Sequence, residues 1–174
     1  MLSKKMLAAL NDQLNFELFS AYQYAATAAY FEGLNLGGCA HWMKIQVQEE
    51  MTHAQMFYSF IIQTGGRVEL EAVAKPANNH KSPIAAFQDT YRHETQVTAR
   101  IHKLVDLALK ESDHATNSFL QWFVTEQVEE EAAADAIVKK LKLIGADTSG
   151  LFFLDRELAA RTVSAAASGA GAQA

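Results

Sequence analysis

Hydrophobic residues recur at every third or fourth position along most of the chain, and a few glycines and prolines interrupt this pattern. A period near 3.6 residues predicts amphipathic α-helices. Capping residues and glycines place five helices at about residues 3–32, 36–64, 82–111, 114–144 and 148–163. The stretch SAAASGAGAQA that follows has low complexity and predicts a disordered tail. We therefore expect one folded domain over residues 1–163 and a tail over residues 164–174.

The lengths of the helices and of their links predict how they pack. Each of the first four helices has about 30 residues, which corresponds to roughly 45 Å. Two of the three links between them are short, and short links make neighbouring helices antiparallel. The third link, residues 65–82, could extend over roughly 59 Å and follow a whole helix, which makes the second and third helices parallel. The prediction is an all-α fold: a four-helix bundle with one long crossover and a short fifth helix.

Polar residues interrupt the core-facing side of every long helix near its middle, whereas the ends of these sides are apolar. The interrupting residues are Glu17 on the first helix, Glu50 and His53 on the second, Glu94 on the third, and Gln127 and Glu130 on the fourth. The midpoints of bundled helices lie at one level whichever way each helix runs. We therefore expect these six side chains to converge.

Divalent metal ions would explain such a buried acidic group. A single glutamate on a helix usually faces solvent, but four helices with the same interruption at the same level favour burial. Buried carboxylates without a cationic partner are costly, and no Lys or Arg lies on the four core-facing sides. Four carboxylates with a neutral imidazole match the charge of two divalent ions.

The types of ligand indicate which metal would bind. Oxygen donors with one imidazole and no thiolate favour iron or manganese over structural zinc, and the histidine disfavours calcium. Two such ions that share a carboxylate can deliver two electrons to oxygen. Glu50 and His53 have E-x-x-H spacing and share one helix face, so Glu50 is the natural bridge between the ions.

Composition and charge restrict the other possible partners. The net charge of −5 argues against nucleic acid, and no apolar run approaches the roughly 20 residues that span a bilayer. The first residues lack the apolar run of a signal peptide, so we expect a cytoplasmic protein. Cys39 is the single cysteine, which excludes an internal disulfide.

With these residues in this order, the chain resembles the ferritins, specifically the bacterial non-haem ferritins, over nearly its whole length. The resemblance implies that Glu17, Glu50 and His53 hold one iron. It also implies that Glu94 and Glu130 share Glu50 to hold the second iron of the pair.

The resemblance assigns roles to further residues beside this pair. Gln127 would lie next to the two irons, and Tyr24 would donate an electron or hydrogen-bond a ligand. Glu49, Glu126 and Glu129, together with Glu130, resemble the ligands of a third iron site.

The implied function is that of a ferroxidase that stores iron. Fe(II) would be oxidised by O2 or hydrogen peroxide, and ferric mineral would accumulate inside a shell of twenty-four subunits. Apolar residues on the fifth helix fit burial against symmetry mates in such a shell. These residues are Leu151, Phe152, Leu154 and Leu158.

Two alternatives remain open. One is a bacterioferritin-like cage that binds haem, because Met51 follows Glu50 where bacterioferritins place their haem methionine. Gln127 and Glu130, however, replace the second E-x-x-H that bacterioferritins usually carry. We therefore favour a packing or interface role for Met51 and expect no haem. The other alternative is a di-iron or manganese oxidase that acts on an organic substrate without forming a shell.

Overall fold

The computed structural model describes residues 2–163, and all regular structure in that range is helical. The helices are α1 (Lys4–Gly33), α2 (Gly37–Gln63), α3 (Pro83–Lys110), α4 (His114–Ile144) and α5 (Thr148–Leu158). The predicted all-α fold is confirmed, and the four long helices lie close to their predicted bounds. The prediction that α5 continues to residue 163 is wrong, because residues 159–163 leave the helix. The predicted tail, residues 164–174, lies outside the described residues.

Side-chain caps fix the starts of four helices. The Ser3 and Ser82 hydroxyls each accept a hydrogen bond from the backbone N–H three residues later. Pro83 occupies the first turn of α3, where its missing N–H has no helical partner to lose. Asp113 and Asp147 cap α4 and α5 in the same way. These local signals explain why the helix starts could be predicted from sequence.

The crossover between α2 and α3 is held against α1 by three side-chain amides. Asn11, Asn15 and Gln23 each donate to a backbone carbonyl and accept from a backbone N–H of residues 67–77, at 2.8–3.1 Å. The crossover therefore follows α1 along much of its length. Trp42 near the start of α2 contacts Phe87 near the start of α3. Helices α2 and α3 are thus parallel, as predicted.

Apolar clusters fill both ends of the bundle, and polar residues lie between them. One cluster includes Phe31, Met43 and Phe87, and the other includes Leu10 and Phe57. Burying a Leu or Phe side chain contributes about 1.5–3 kcal/mol, so the two ends stabilise the bundle while the middle carries the buried acids. Among the described residues, no helix is long and apolar enough to cross a membrane.

Helix α5 packs across the start of α2 through a close backbone contact. A Cβ atom on Gly38 would lie 1.6 Å from the Asp155 carbonyl oxygen, so only glycine permits this approach. The Asp155 carboxylate also accepts the Cys39 N–H at 2.8 Å. Leu154 and Leu158 are buried by this packing. The expectation that these two leucines face symmetry mates is therefore wrong, because the chain itself covers them.

The outer side of α5 remains apolar and open. Phe152 is 60% exposed and the adjacent Phe153 is 67% exposed. The two rings contact each other at 6.3 Å between centroids. An isolated subunit thus presents an aromatic patch at this end of the bundle.

Candidate metal centre

The six polar residues that interrupt the core-facing sides are all buried, each at 4% exposure or less. They are Glu17, Glu50, His53, Glu94, Gln127 and Glu130. In Glu17, Glu50 and His53, one potential ligand atom per residue lies within 4.8 Å of the other two. The interpretation of these glutamates as a solvated face is excluded by their burial.

Several atoms in this group have no hydrogen-bond partner. Among the described residues, the unpartnered buried side-chain atoms are Glu17 Oε2, Glu50 Oε2, His53 Nε2 and Gln46 Oε1. Leaving a buried polar group unsatisfied costs about 1–3 kcal/mol. Three of these four atoms belong to the Glu17, Glu50 and His53 group and are potential metal ligands. The close grouping of one ligand atom from each of the three residues fits a bound cation.

The Glu94 carboxylate is oriented by two neighbours. The Tyr24 hydroxyl donates to Glu94 Oε1, and Gln127 Nε2 lies 3.3 Å from Glu94 Oε2. Tyr24 is 1% exposed and its ring is fully enclosed. The structure therefore places both residues beside this carboxylate, and their roles toward iron stay predictions.

Two glutamines to which sequence reasoning gave no role orient other carboxylates. Gln13 Nε2 donates to Glu17 Oε1 at 2.8 Å, one helical turn away. Gln46 Nε2 donates to Glu130 Oε2 at 2.9 Å, from a different helix. The i, i+4 spacing of Gln13 and Glu17 was a usable signal, and Gln46 lies on the core-facing side of α2 one turn before Glu50.

Burial and mutual repulsion keep protons on these carboxyl groups. Desolvation, with the neighbouring Glu50 carboxylate, raises the pKa of Glu17 to about 8. Desolvation, with Glu94 and Glu49, raises the pKa of Glu130 to about 8. The pKa of Glu50 is raised well above its usual range by desolvation, then by Glu94 and Glu130. Glu50 thus interacts with carboxylates on three other helices, and a cation would release protons on binding.

A second acidic group lies beside the first. Glu49 and Glu126 are buried at 1% and 5% exposure, and Glu129 is exposed. Desolvation raises the pKa of Glu126, and the Glu129 and Glu49 carboxylates add to this effect. The three carboxylates are therefore close enough to interact.

One basic residue reaches this second group from outside the four core-facing sides. Arg161 Nη2 donates to Glu49 Oε2 at 2.6 Å. Sequence reasoning missed this contact because Arg161 follows α5, in a stretch that was predicted to be helical. Only the folding of that stretch back along α2 brings the two charges together.

Met51 lies on the surface rather than in the centre. It is 50% exposed and lines a shallow apolar groove with Leu18, Tyr22, Val47 and Val73. The packing or interface role of Met51 and the absence of haem stay predictions.

The fold and the site together define a class: four-helix bundles with one long crossover that hold metal ions between carboxylates at mid-bundle. Comparison with known proteins narrows this class. Residues 7–144 match the Ferritin family, described as a ferritin-like domain.

Similar proteins come from bacteria and archaea. A bacterial non-heme ferritin of Staphylococcus aureus strain USA300 is 41% identical over 162 residues, which cover 93% of this chain and 98% of that protein. A bacterial non-heme ferritin of Bacteroides fragilis strain 638R is 40% identical over 161 residues, which cover 92% of this chain and 100% of that protein. The open pore ferritin of Archaeoglobus fulgidus superposes with a TM-score of 0.92 at 51% identity. The match covers 93% of this chain and 100% of that chain. The chain belongs to the ferritin family, and its function is iron storage.

Proposed function

We propose that this ferritin is a ferroxidase that oxidises Fe(II) at a pair of sites in each subunit. The observation that carries the proposal is the close group of buried ligand atoms on Glu17, Glu50 and His53, three residues that each also hold a buried side-chain atom without a hydrogen-bond partner. A stable fold leaves such atoms unsatisfied only where another partner is supplied, and Fe(II) is the cation that an iron-storage protein receives.

The two irons would be bound on either side of Glu50. Glu17, Glu50 and His53 would hold one ion, and Glu94 and Glu130 would share Glu50 to hold the other. Support comes from the electrostatic interaction of Glu50 with both Glu94 and Glu130. Tyr24 and Gln127 would keep the Glu94 carboxylate oriented toward its ion.

The electron balance of the reaction requires a pair of ions. Each Fe(II) loses one electron, and O2 takes both electrons with two protons to form hydrogen peroxide. Where hydrogen peroxide is the oxidant, two electrons and two protons convert it to two molecules of water. The carboxyl groups of this chain bind and orient the irons and release their own protons when the irons enter.

A third, weaker site would lie beside the pair. Glu49, Glu126 and Glu129, with Glu130, would accept iron that leaves the pair. Support comes from the burial of Glu49 and Glu126 and from the mutual effect of these carboxylates on the pKa of Glu126.

Twenty-four subunits would form the shell that holds the mineral. Two apolar surfaces support assembly: the patch of Phe152 and Phe153, and the groove around Tyr22, Met51 and Val73. The cytoplasmic location stays a prediction from the sequence.

Two measurements test this function. Anaerobic titration of the metal-free protein should find about two tight Fe(II) per chain, and admission of O2 should then oxidise them rapidly. Light scattering should give a particle of several hundred kilodaltons from chains of 19.1 kDa. A stable monomer with two tight Fe(II) would instead favour the oxidase that forms no shell, and failure to bind Fe(II) would refute the proposed pair.

A further inference from the structure

Arg161 forms a close ion pair with a buried member of the proposed third site. Its Nη2 atom lies 2.6 Å from Glu49 Oε2, and the Glu49 side chain is 1% exposed while that of Arg161 is 19% exposed. The guanidinium carbon lies 4.2 Å from the centroid of the Trp42 ring. Nη1 also donates to the Trp42 carbonyl at 3.4 Å. The arginine is therefore held at its guanidinium end by three separate contacts.

The stretch after α5 is fixed in the position that makes this contact. The His41 ring nitrogen Nε2 lies 2.8 Å from the Arg161 carbonyl oxygen. Upstream, the close approach of Gly38 to Asp155 anchors α5 on the start of α2. Arg161 thus reaches Glu49 beside the first turns of α2, where it also contacts Trp42.

The arginine charge acts on more than Glu49. Arg161 lowers the pKa of Glu126, which desolvation raises. It has the same lowering effect on the pKa of Glu130, against desolvation and the Glu94 and Glu49 carboxylates. The arginine charge therefore acts on three of the four carboxylates of the proposed third site. It contacts Glu49 directly and acts at a distance on Glu126 and Glu130.

The Arg161 guanidinium already binds Glu49 Oε2, an oxygen of the carboxylate that the proposed third site would use. An ion bound to Glu49 Oε2 would lie within a few ångströms of a fixed positive charge, and that repulsion opposes binding. We propose, on the basis of the third site assigned above, that Arg161 is an internal cation that competes with metal ions for Glu49. Loading of the third site then requires the arginine side chain to withdraw, whereas the pair has no such competitor.

Withdrawal is feasible because of where Arg161 lies in the chain. It follows the last turn of α5, so its side chain can swing into solvent without breaking a hydrogen bond inside a helix. The long, flexible side chain can make this movement with its backbone carbonyl still at His41. The third site would therefore fill only after the pair, at higher metal concentration.

Calorimetric titration of the assembled, metal-free protein with Zn(II) tests this competition without iron oxidation. Arg161→Gln should tighten the third, weakest Zn(II) site by at least about tenfold, the low end of what close buried charge pairs contribute. The affinities of the pair should change far less, because Arg161 contacts none of its ligands and acts only at a distance on Glu130. Arg161→Lys, which keeps the charge, should remain close to wild type. Arg156→Gln, on the exposed side of α5, is the matched control.

A second measurement uses the wild-type protein and does not depend on a variant folding. Arg161 should react faster with an arginine-specific dicarbonyl reagent once Zn(II) exceeds two equivalents, as read by peptide mass spectrometry. Unchanged reactivity overturns the competition, as does an unchanged or weaker third site in an assembled Arg161→Gln variant. The absence of a third site in every variant overturns it too, while two intact tight sites keep the ferroxidase pair. Loss of those two sites in wild type would instead contradict the proposed function itself.

Discussion

Glu49 and Glu50 are adjacent on α2 and equally buried, at 1% exposure each, yet their charges meet different partners. Glu49 pairs with Arg161, a cation from its own chain. Glu50 has an unpartnered oxygen and interacts with carboxylates on other helices. A buried acid can therefore be paired with a cation of its own chain or kept without one, and the second arrangement leaves the carboxylate open to a metal ion without a competing charge.

Helix geometry explains the difference. Consecutive residues point about 100° apart, so Glu50 faces the bundle axis while Glu49 faces its flank. On the axis, four helices close around the site and no other segment of the described chain reaches it. On the flank, the stretch after α5 lies within reach of an arginine side chain.

The largest expected effect comes from removing the residue at the centre of the pair. Glu50→Ala should slow the initial oxidation of Fe(II) by more than about 100-fold, since ligand loss exceeds the 10- to 100-fold cost typical of outer partners. The shell should still assemble, because the variant removes buried charge rather than apolar packing. Stopped-flow absorbance of the ferric product measures the rate.

Gln48→Ala is the matched control, because Gln48 is exposed on the same helix two residues earlier. It should oxidise iron at the wild-type rate. Wild-type oxidation by an assembled Glu50→Ala protein would show that Glu50 does not hold iron.

The stability of the metal-free protein should depend on pH because of these buried acids. The raised pKa values of Glu17 and Glu130, both about 8, mean that the folded state holds protons that the unfolded chain loses near pH 4.5. Their contribution is full below pH 4.5 and is lost as pH rises toward about 8. The thermal midpoint should fall by roughly 5–10 °C between pH 5 and pH 8.5.

Calorimetric scans with and without Zn(II) check this dependence. Bound Zn(II) should flatten it, because the metal replaces the protons. Glu50→Gln should also reduce the slope, whereas Glu49→Gln should lower the midpoint and reduce the slope less, because Glu49 adds to the raised pKa of Glu130 only after desolvation and Glu94. A constant midpoint for the metal-free wild type across this range would contradict the assigned pKa shifts.

A smaller effect is expected from removing the flanking acids. Replacing Glu49, Glu126 and Glu129 together by alanine should leave two tight Fe(II) sites and an initial oxidation rate within about threefold of wild type. The amount of O2 consumed per iron should change, because iron leaving the pair loses its next site. An oxygen electrode with known additions of Fe(II) measures this ratio. Undiminished binding of a third iron would mean that these residues only face solvent.

The smallest effect should come from Tyr24→Phe. This change removes the hydroxyl that donates to Glu94 but keeps the buried ring. Gln127 still holds the other Glu94 oxygen, so the initial rate should fall by less than about tenfold. Rapid-mixing kinetics beside Tyr22→Phe, an exposed tyrosine on the same helix, separates this effect from a general one. A loss as large as that of Glu50→Ala would place Tyr24 among the essential groups of the pair.

Local signals in the sequence were sufficient to predict the long helices, the crossover and the position of the buried glutamates midway along the bundle. Caps such as Ser82 act within three residues, and the helical period sets which residues face the axis. Burial of Glu17, Glu50 and Glu94 follows directly from that period. The predicted end of α5 at residue 163 was wrong, because the contacts of residues 159–163 with α2 outweigh the helical preference of the alanines there.

The sequence by itself determined which residues form the buried acidic layer, because helix period and helix length are local properties. Only the tertiary structure decided how each acid is balanced. Arg161 and Glu49 are 112 positions apart, and their contact depends on how α5 settles on Gly38. Gln46 of α2 likewise donates a hydrogen bond to Glu130 of α4. Such pairings depend on distances between whole elements, which no local pattern of residues specifies.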